Sequence, residues 1–301
     1  MTLRPREFEE RFGLSVLDLE LVSDRSKPLQ RAASYRAQTA SGLVHKVRVM
    51  PTAEAAYEIV RLHAILLERA KPPADGRATV ELPCILGHSG RCLITPWIEG
   101  RRLCSLAGFE SALGHLLGRI HACELRAEEI GPARGVGCSC ESVDLLRKQL
   151  DVLVSEELLD PDEAALAHRF ALDFRPEAAE VGIVHRDLCA ANVVLDPDDR
   201  LWLIDNETIS VRALDHDLGR TWTRAHLTEK GWMDFFSGYR RSRHLEPYFA
   251  HFPYWSILAC AESASFRAQH WSSGAEAPVR RLRTLITGLA RGVEPERLML
   301  T

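Results

Sequence analysis

The sequence predicts an α+β protein of two lobes, a small β-rich lobe over residues 1–98 and a larger helical lobe over residues 99–301. Three observations predict it. Strand-like apolar runs dominate the first hundred residues, and apolar residues at helical spacing dominate most of the remainder. Between the helical stretches, near residue 185, lies a polar loop followed by two short β-rich runs. A cleft between two such lobes is where a ligand pocket is expected.

The first lobe is expected to contain several strands and one amphipathic helix. The predicted strands cover residues 17–22, 34–39, 43–50 and 91–96. The helix is expected over Ala53–Arg69, because Ile59, Leu62 and Leu66 share one face. After the last strand, residues 97–100 (Trp-Ile-Glu-Gly) leave the lobe as a connecting hinge.

The second lobe shows repeated helical spacing. Apolar residues recur at i, i+3, i+4 and i+7 over residues 113–120, and a similar pattern covers residues 143–153. Residues 160–163 (Asp-Pro-Asp-Glu) carry a cap, a proline at the first helical position and an acid at the third, which predicts a helix start. Residues 133–137 are expected to form a loop, and the chain from Thr221 onward is expected to be helical.

The most informative stretch is His185-Arg186-Asp187, with Asn192 five residues after the aspartate and Asp205 thirteen further on. The apolar runs 193–195 and 201–204 flank a strong turn signal at residues 196–200, which predicts a hairpin. The hairpin would bring Asn192 and Asp205 to the same end of two paired strands. Phosphoryl transfer needs this set: one carboxylate to orient the attacking hydroxyl, and an amide oxygen with a second carboxylate to hold Mg²⁺.

The composition narrows the possible partners and the compartment. Net charge is −4 and 46% of residues are apolar, which indicates a folded protein and favours neither nucleic acid nor a membrane as its partner. No apolar run is long enough for a transmembrane segment. The eight cysteines form no C-x-x-C pair, which is typical of reduced thiols and predicts a cytoplasmic location.

These motifs resemble the protein-kinase-like fold, in particular the aminoglycoside phosphotransferase and choline kinase group. The likeness spans about residues 43–240 and includes the hinge at residues 93–100, the Leu-Gly-Arg-Ile-His at 117–121, the Ile-Asp-x-Glu at 204–207 and the Phe-x-x-Gly-Tyr at 235–239. Arg186 departs from the His-Gly-Asp usual in that group. An arginine at this position, between the histidine and the aspartate, resembles the pattern of protein kinases and of lipopolysaccharide-core sugar kinases.

The resemblance implies ATP and Mg²⁺ as cofactors, Asp187 as the catalytic residue, and Asn192 and Asp205 as metal ligands. The chain has no glycine-rich loop in its first lobe, so residues 23–28 are the expected turn over the phosphates. Arg186 is left with two interpretations, pairing with an acid or contacting the acceptor.

The remaining nucleotide contacts are expected from the first lobe and the hinge. Lys46 and Arg48 lie two apart on one predicted strand and so share a face, and either could reach the α- and β-phosphates. Lys46 is preferred, with Glu58 as its ion-pair partner and Glu54 as second choice. Trp97 is expected to pack near the adenine.

The leading functional hypothesis is an ATP-dependent kinase acting on a hydroxyl of a small molecule or sugar. Two alternatives are a protein kinase, favoured by the His-Arg-Asp triplet, and a catalytically weak kinase-like binding scaffold. Residues 208–301 carry 13 Lys and Arg against 9 Asp and Glu. This excess favours an anionic or sugar acceptor over a polycationic one.

Overall fold

The computed structural model describes residues 5–24, 33–70, 80–130, 139–271 and 274–300. Residues 25–28 of the expected phosphate turn and the expected loop at 133–137 lie outside the described residues. In chain order the described elements are α1 (Pro5–Phe12), β1 (Val16–Asp24), β2 (Ala33–Thr39), β3 (Val44–Val49), α2 (Ala53–Arg69), β4 (Val80–Glu81), β5 (Gly87–Ser89), β6 (Cys92–Pro96), β7 (Arg101–Arg102), α3 (Glu110–His121), α4 (Ala127–Ile130), α5 (Ser139–Ser155), α6 (Pro161–Asp173), β8 (Val181–Val184), β9 (Val193–Leu195), β10 (Leu201–Leu203), β11 (Ser210–Ala213), α7 (Leu214–Arg224), α8 (Glu229–Arg240), α9 (Glu246–Ala250), α10 (Phe252–His270), α11 (Glu276–Ala290) and α12 (Pro295–Met299).

The N-terminal part of the protein is built on an antiparallel sheet with strand order β1-β2-β3-β6-β5. Along β3 the side chains alternate between two faces, as a strand requires. His45, Val47 and Val49 are buried, whereas Lys46 and Arg48 are half-buried on the opposite face. Helix α2 packs on this sheet and begins at Thr52, whose hydroxyl accepts the Ala55 N–H at 3.1 Å.

The second sheet contains the predicted hairpin. Strands β9 and β10 pair antiparallel, with Leu203 opposite Val193. The turn between them is fixed by Asp196, whose Oδ1 accepts the backbone N–H groups of Asp198 and Arg200, both at 2.9 Å. The sheet has the order β4-β10-β9-β7, so two short strands from the first 102 residues flank the hairpin.

The C-terminal part is mostly helical, as the spacing predicts. The expected start of α6 is present as a reciprocal capping box between Asp160 and Glu163. The main hydrophobic core runs through this part, and the large aromatic residues of α8 and α10 are buried in it. None of the helices in the described ranges is long and apolar enough to cross a membrane.

Helices α3 and α8 approach each other so closely that their contact admits only glycine. A Cβ atom added to Gly114 would clash with the carbonyl oxygen of Phe235, and one added to Gly238 would clash with that of Ser111. Because the opposing atoms belong to helix backbone, side-chain rotation cannot relieve either clash. This contact holds α3 against α8, whose large aromatic residues are buried in the core.

We expect Gly114→Ala to lower the free energy of unfolding by at least about 2 kcal/mol, because the added methyl group must push two helices apart. Urea denaturation measures this. Gly87→Ala is the matched control, since nothing lies within 4 Å of a Cβ at that position. Equal stability of the Gly114 variant and the wild type would contradict the close-packing account.

Candidate active site

The loop between β8 and β9 brings Asp187 and Asn192 together. The Asn192 amide nitrogen donates to the main-chain oxygen of Asp187 and to its Oδ2, both at 2.8 Å. With the nitrogen engaged in this way, the amide oxygen Oδ1 is the atom of Asn192 that faces other partners. The first two members of the predicted set therefore form one hydrogen-bonded unit.

A buried carboxylate, that of Asp217 on α7, fixes the start of this loop. Its two oxygens accept the backbone N–H groups of His185 and Arg186, each at 2.8 Å, and His121 Nε2 lies 3.1 Å away. Burial opposes the charge, but the hydrogen bonds from His121 and the loop amide lower the pKa of Asp217 to about 2. Asp217 therefore stays ionised, and it holds Arg186 at a left-handed φ of 67°.

The side chain of Arg186 pairs with an acid. Its Nη2 lies 2.8 Å from Glu262 on α10, and Arg220 reaches the same carboxylate at 2.7 Å. Arg220 also donates to the main-chain oxygen of Arg186 at 2.8 Å. Of the two interpretations left open by the sequence, the structure therefore shows the ion pair, which ties the loop to α10.

Arg224, at the end of α7, forms an ion pair with Asp187 that sequence reasoning missed. Its other nitrogen lies 3.3 Å from the Cys189 sulfur. Burial raises the pKa of the Cys189 thiol, which favours its protonated form. The sequence did contain a signal for Arg224, because it follows Asp217 by seven residues and so shares that residue's helix face.

The hairpin places Asp205 beside this unit. The Ile204 N–H donates to the Asn192 main-chain oxygen at 2.8 Å, and Asp205 follows directly with φ of 63°. The Asp205 carboxylate pairs with Lys46 on β3. Burial would raise the pKa of Asp205, but the charge and hydrogen bond of Lys46, with Arg48 and Arg102 nearby, lower it.

The ion pairs of the first sheet differ from the expected arrangement. Within the described part of the chain, Lys46 pairs with Asp205 and lies 4.0 Å from Glu207, and Arg48 lies 2.6 Å from Glu207. Glu58 instead accepts two hydrogen bonds from Arg61, at 3.0 and 2.9 Å. The expected Lys46–Glu58 pair is thus replaced, because Arg61 is one helical turn from Glu58 and two acids after β10 face β3.

A cavity of about 400 Å³ lies between the first sheet and the hairpin. Lys46, Arg48, Trp97 and Asp205 line it, together with the hinge residues that follow β6. The Arg36 guanidinium lies 5.7 Å from the centroid of the Trp97 ring. Glu58, Asp187 and Asn192 are not on its wall. We call this space the hinge cavity.

A second cavity, of about 350 Å³, opens on the loop between β8 and β9, and we call it the loop cavity. Its wall includes residues 189–191 of the loop, Arg224 of α7, His226, and Arg267 of α10. A third cavity of about 230 Å³ shares His226 and Ala277 with it. The loop between β8 and β9 therefore has the loop cavity beside it, and Arg224 connects that cavity to Asp187.

The fold and this arrangement of side chains define a phosphotransferase of the protein-kinase-like class. The chain belongs to the phosphotransferase enzyme family, whose model matches residues 30–254. Family membership confirms the predicted likeness to the aminoglycoside phosphotransferase and choline kinase group, and with it the prediction of an enzyme that phosphorylates hydroxyl groups of small molecules.

Solved structures share this fold at low sequence identity. A macrolide 2′-phosphotransferase from Brachybacterium faecium has a TM-score of 0.58 and 16% identity, with 97% of this chain and 94% of that chain covered. A choline kinase from Streptococcus pneumoniae gives 0.60 and 16%, with 95% and 97% covered. An aminoglycoside phosphotransferase bound to streptomycin and ATP gives 0.59 and 17%, with 92% and 99% covered. A search of curated proteins found no significant match.

His63, on α2 at the wall of the hinge cavity, is 1% exposed. Burial lowers its pKa to about 4. Because the unfolded chain takes up this proton near pH 6.5 and the folded protein does not, stability falls as pH drops from about 6.5 to 4.

Between pH 7 and pH 4.5 the wild type should lose about 2–3 kcal/mol of its free energy of unfolding through His63. We expect His63→Leu not to show this part of the loss. Urea denaturation at both pH values measures the difference. His244→Leu is the control, because the His244 side chain is 97% exposed. If the variant and the wild type lost stability in parallel, His63 would not titrate in this way.

Proposed function

We propose that this protein transfers the γ-phosphate of ATP, with Mg²⁺, to a hydroxyl group of a small molecule or sugar. The observation that carries the proposal is the junction of Asp187, Asn192 and Asp205 at one end of the β9–β10 hairpin, where Asn192 is hydrogen-bonded to Asp187 and to Ile204, the residue before Asp205. Lys46 adjoins this junction through Asp205. The streptomycin and ATP bound by one protein of the same fold support ATP as donor and a small molecule as acceptor.

The proposed metal ligands are the carboxylate of Asp205 and the amide oxygen of Asn192. Both are the hard oxygen donors that Mg²⁺ prefers, and Mg²⁺ sites in such enzymes are completed by phosphate and water oxygens. Among the described residues no group of three or more His, Cys, Asp or Glu side chains could hold a metal. When bound, the ion would neutralise phosphate charge.

The proposed nucleotide contacts lie in the hinge cavity. Lys46 and Arg48 are assigned to the phosphates, because both side chains lie on the face of β3 that contacts Asp205 and Glu207. Trp97 is assigned to the adenine, since it lines the cavity beside the hinge. Glu58 is paired with Arg61 on α2 and is assigned no nucleotide contact.

Asp187 is proposed to orient the acceptor hydroxyl and to accept its proton late in the transfer. Asn192 holds one carboxylate oxygen and Arg224 the other, so the group cannot rotate freely. The Arg224 charge also stabilises the ionised form of the carboxylate. Catalysis in this arrangement comes from positioning and charge stabilisation, without a covalent intermediate.

The proposal also covers the boundary between the lobes, the cellular location and the class of acceptor. The chain divides at residues 98 and 99 into a nucleotide lobe and a catalytic lobe. The six cysteines whose side chains the structure describes, Cys84, Cys92, Cys104, Cys123, Cys189 and Cys260, are free, which supports a reducing, cytoplasmic location. The family match favours a small-molecule acceptor over a protein substrate. The intact junction favours an active enzyme over a binding scaffold.

The function is tested by following ADP release with ATP and Mg²⁺ across sugars, amino alcohols, aminoglycosides and a generic protein. We expect turnover with a small molecule, and Asp187→Asn to lower its kcat by about 10²–10⁴-fold while nucleotide binding persists. Asp198→Asn, on the exposed hairpin turn, is the control. Wild-type turnover in the Asp187 variant would reject the catalytic assignment.

The metal assignment predicts that Asp205→Asn removes the strengthening of ATP binding by Mg²⁺, because the amide lacks the charge that a divalent ion requires. Calorimetric titration with ATP, in MgCl₂ and in EDTA, measures this. Binding in MgCl₂ should weaken by roughly tenfold or more. If MgCl₂ strengthened ATP binding by the variant as much as by the wild type, residues other than Asp205 would hold the metal.

A further inference from the structure

We infer that the acceptor is an alcohol that also carries an anionic group, a carboxylate or a phosphate, and that Arg267 in the loop cavity recognises it. This inference rests on the proposed function, because it assigns the loop cavity beside Asp187 to the acceptor.

The wall of the loop cavity is cationic. Its described residues include Arg224, Arg267 and His226, and none of them is Asp or Glu. The nearest catalytic carboxylate, that of Asp187, is already paired with Arg224. Because this pair neutralises Arg224, Arg267 carries the excess positive charge of the described wall, which would repel an acceptor bearing an ammonium group and attract an anion.

Arg267 has a guanidinium group without a carboxylate partner among the described ion pairs. One nitrogen donates to the Gly274 carbonyl at 2.8 Å, and the group lies 5.6 Å from the centroid of the Trp271 ring. Glu262, on the same helix, is occupied by Arg186 and Arg220. Burial and the nearby Arg220 charge lower the pKa of Arg267, and a bound anion would offset both effects.

His226 presents a further donor to the same space. Arg281 can only donate, so its Nη1, 3.2 Å from His226 Nδ1, makes that ring nitrogen an acceptor. Burial, and then the charges of Arg281 and Arg267, lower the pKa of His226. The neutral ring therefore carries its proton on Nε2, and the wall offers donors to an incoming oxygen anion.

The cationic lining continues past His226. The third cavity shares His226 and Ala277 with the loop cavity and is also lined by Arg280 and Arg281. Arg281 is packed over the Trp222 ring, with 4.1 Å between its guanidinium carbon and the ring centroid. The two spaces together suit an elongated acceptor with its hydroxyl at Asp187 and its anionic group farther along the wall.

The test compares acceptors that differ in charge on one scaffold: glucose, glucosamine, glucuronate and glucose 6-phosphate, with glycerol, serinol, glycerate and glycerol 3-phosphate as a shorter set. We expect kcat/KM, from ADP release, to be at least about tenfold higher for an anionic member than for its neutral and cationic partners. Comparison of glucuronate with glucose 6-phosphate identifies the carboxylate or the phosphate as the recognised group.

Binding is measured separately from turnover. Each anionic compound is titrated calorimetrically into protein saturated with Mg²⁺ and a non-hydrolysable ATP analogue, so that the nucleotide site is filled. Arg267→Gln should weaken anion binding and raise the acceptor KM by about tenfold, with nucleotide affinity unchanged. Arg291→Gln, an exposed arginine after α11, is the matched control.

The outcomes separate the two proposals. If glucosamine, serinol or a neutral compound is phosphorylated as well as its anionic partner, the inference is overturned and the kinase assignment stands. If no anionic compound binds, or Arg267→Gln binds anions like the wild type, the inference is also overturned. If neither nucleotide binding nor ADP release is detected with any acceptor, the proposed function itself fails.

Discussion

The arrangement of the active site depends on one buried carboxylate. Asp217 accepts the N–H groups of His185 and Arg186, which precede Asp187, the proposed catalytic residue, in the chain. Without it, two buried donors would lose their partner and the left-handed backbone at Arg186 would lose its restraint. The Asp217 carboxylate therefore fixes the backbone at the start of the loop, just before the residues that contact Asp187 and the hairpin.

Charge is organised differently on the two sides of that loop. In the hinge cavity, Lys46 and Arg48 are balanced by Asp205 and Glu207, so cations and acids alternate where phosphates and a metal are expected. In the loop cavity the cations exceed the acids. The loop between β8 and β9 thus lies between the site proposed for metal and phosphates and the site proposed for the anionic group of the acceptor.

Local signals in the sequence predicted much of this fold. Helix α2 has the expected bounds because an amphipathic stripe follows a threonine cap, and the hairpin has the expected turn because Asp196 is placed to cap it. Strands β4 and β7, of two residues each, carry no periodic signal and were missed. Ion pairs were harder to predict, since Lys46–Asp205 and Arg224–Asp187 join residues far apart in the chain, and only tertiary packing selects them from many candidates.

Strand β4 runs parallel to β10, with Val80 opposite Leu201. Backbone hydrogen bonds therefore fasten a segment of the N-terminal part to the hairpin that carries Asn192 and Asp205. A movement that widened the hinge cavity would have to leave this attachment intact, because breaking it would expose paired strand groups. Helix α2 reinforces this attachment, because Leu62, Ile65 and Leu66 on one of its faces are buried in the same hydrophobic core as the C-terminal helices.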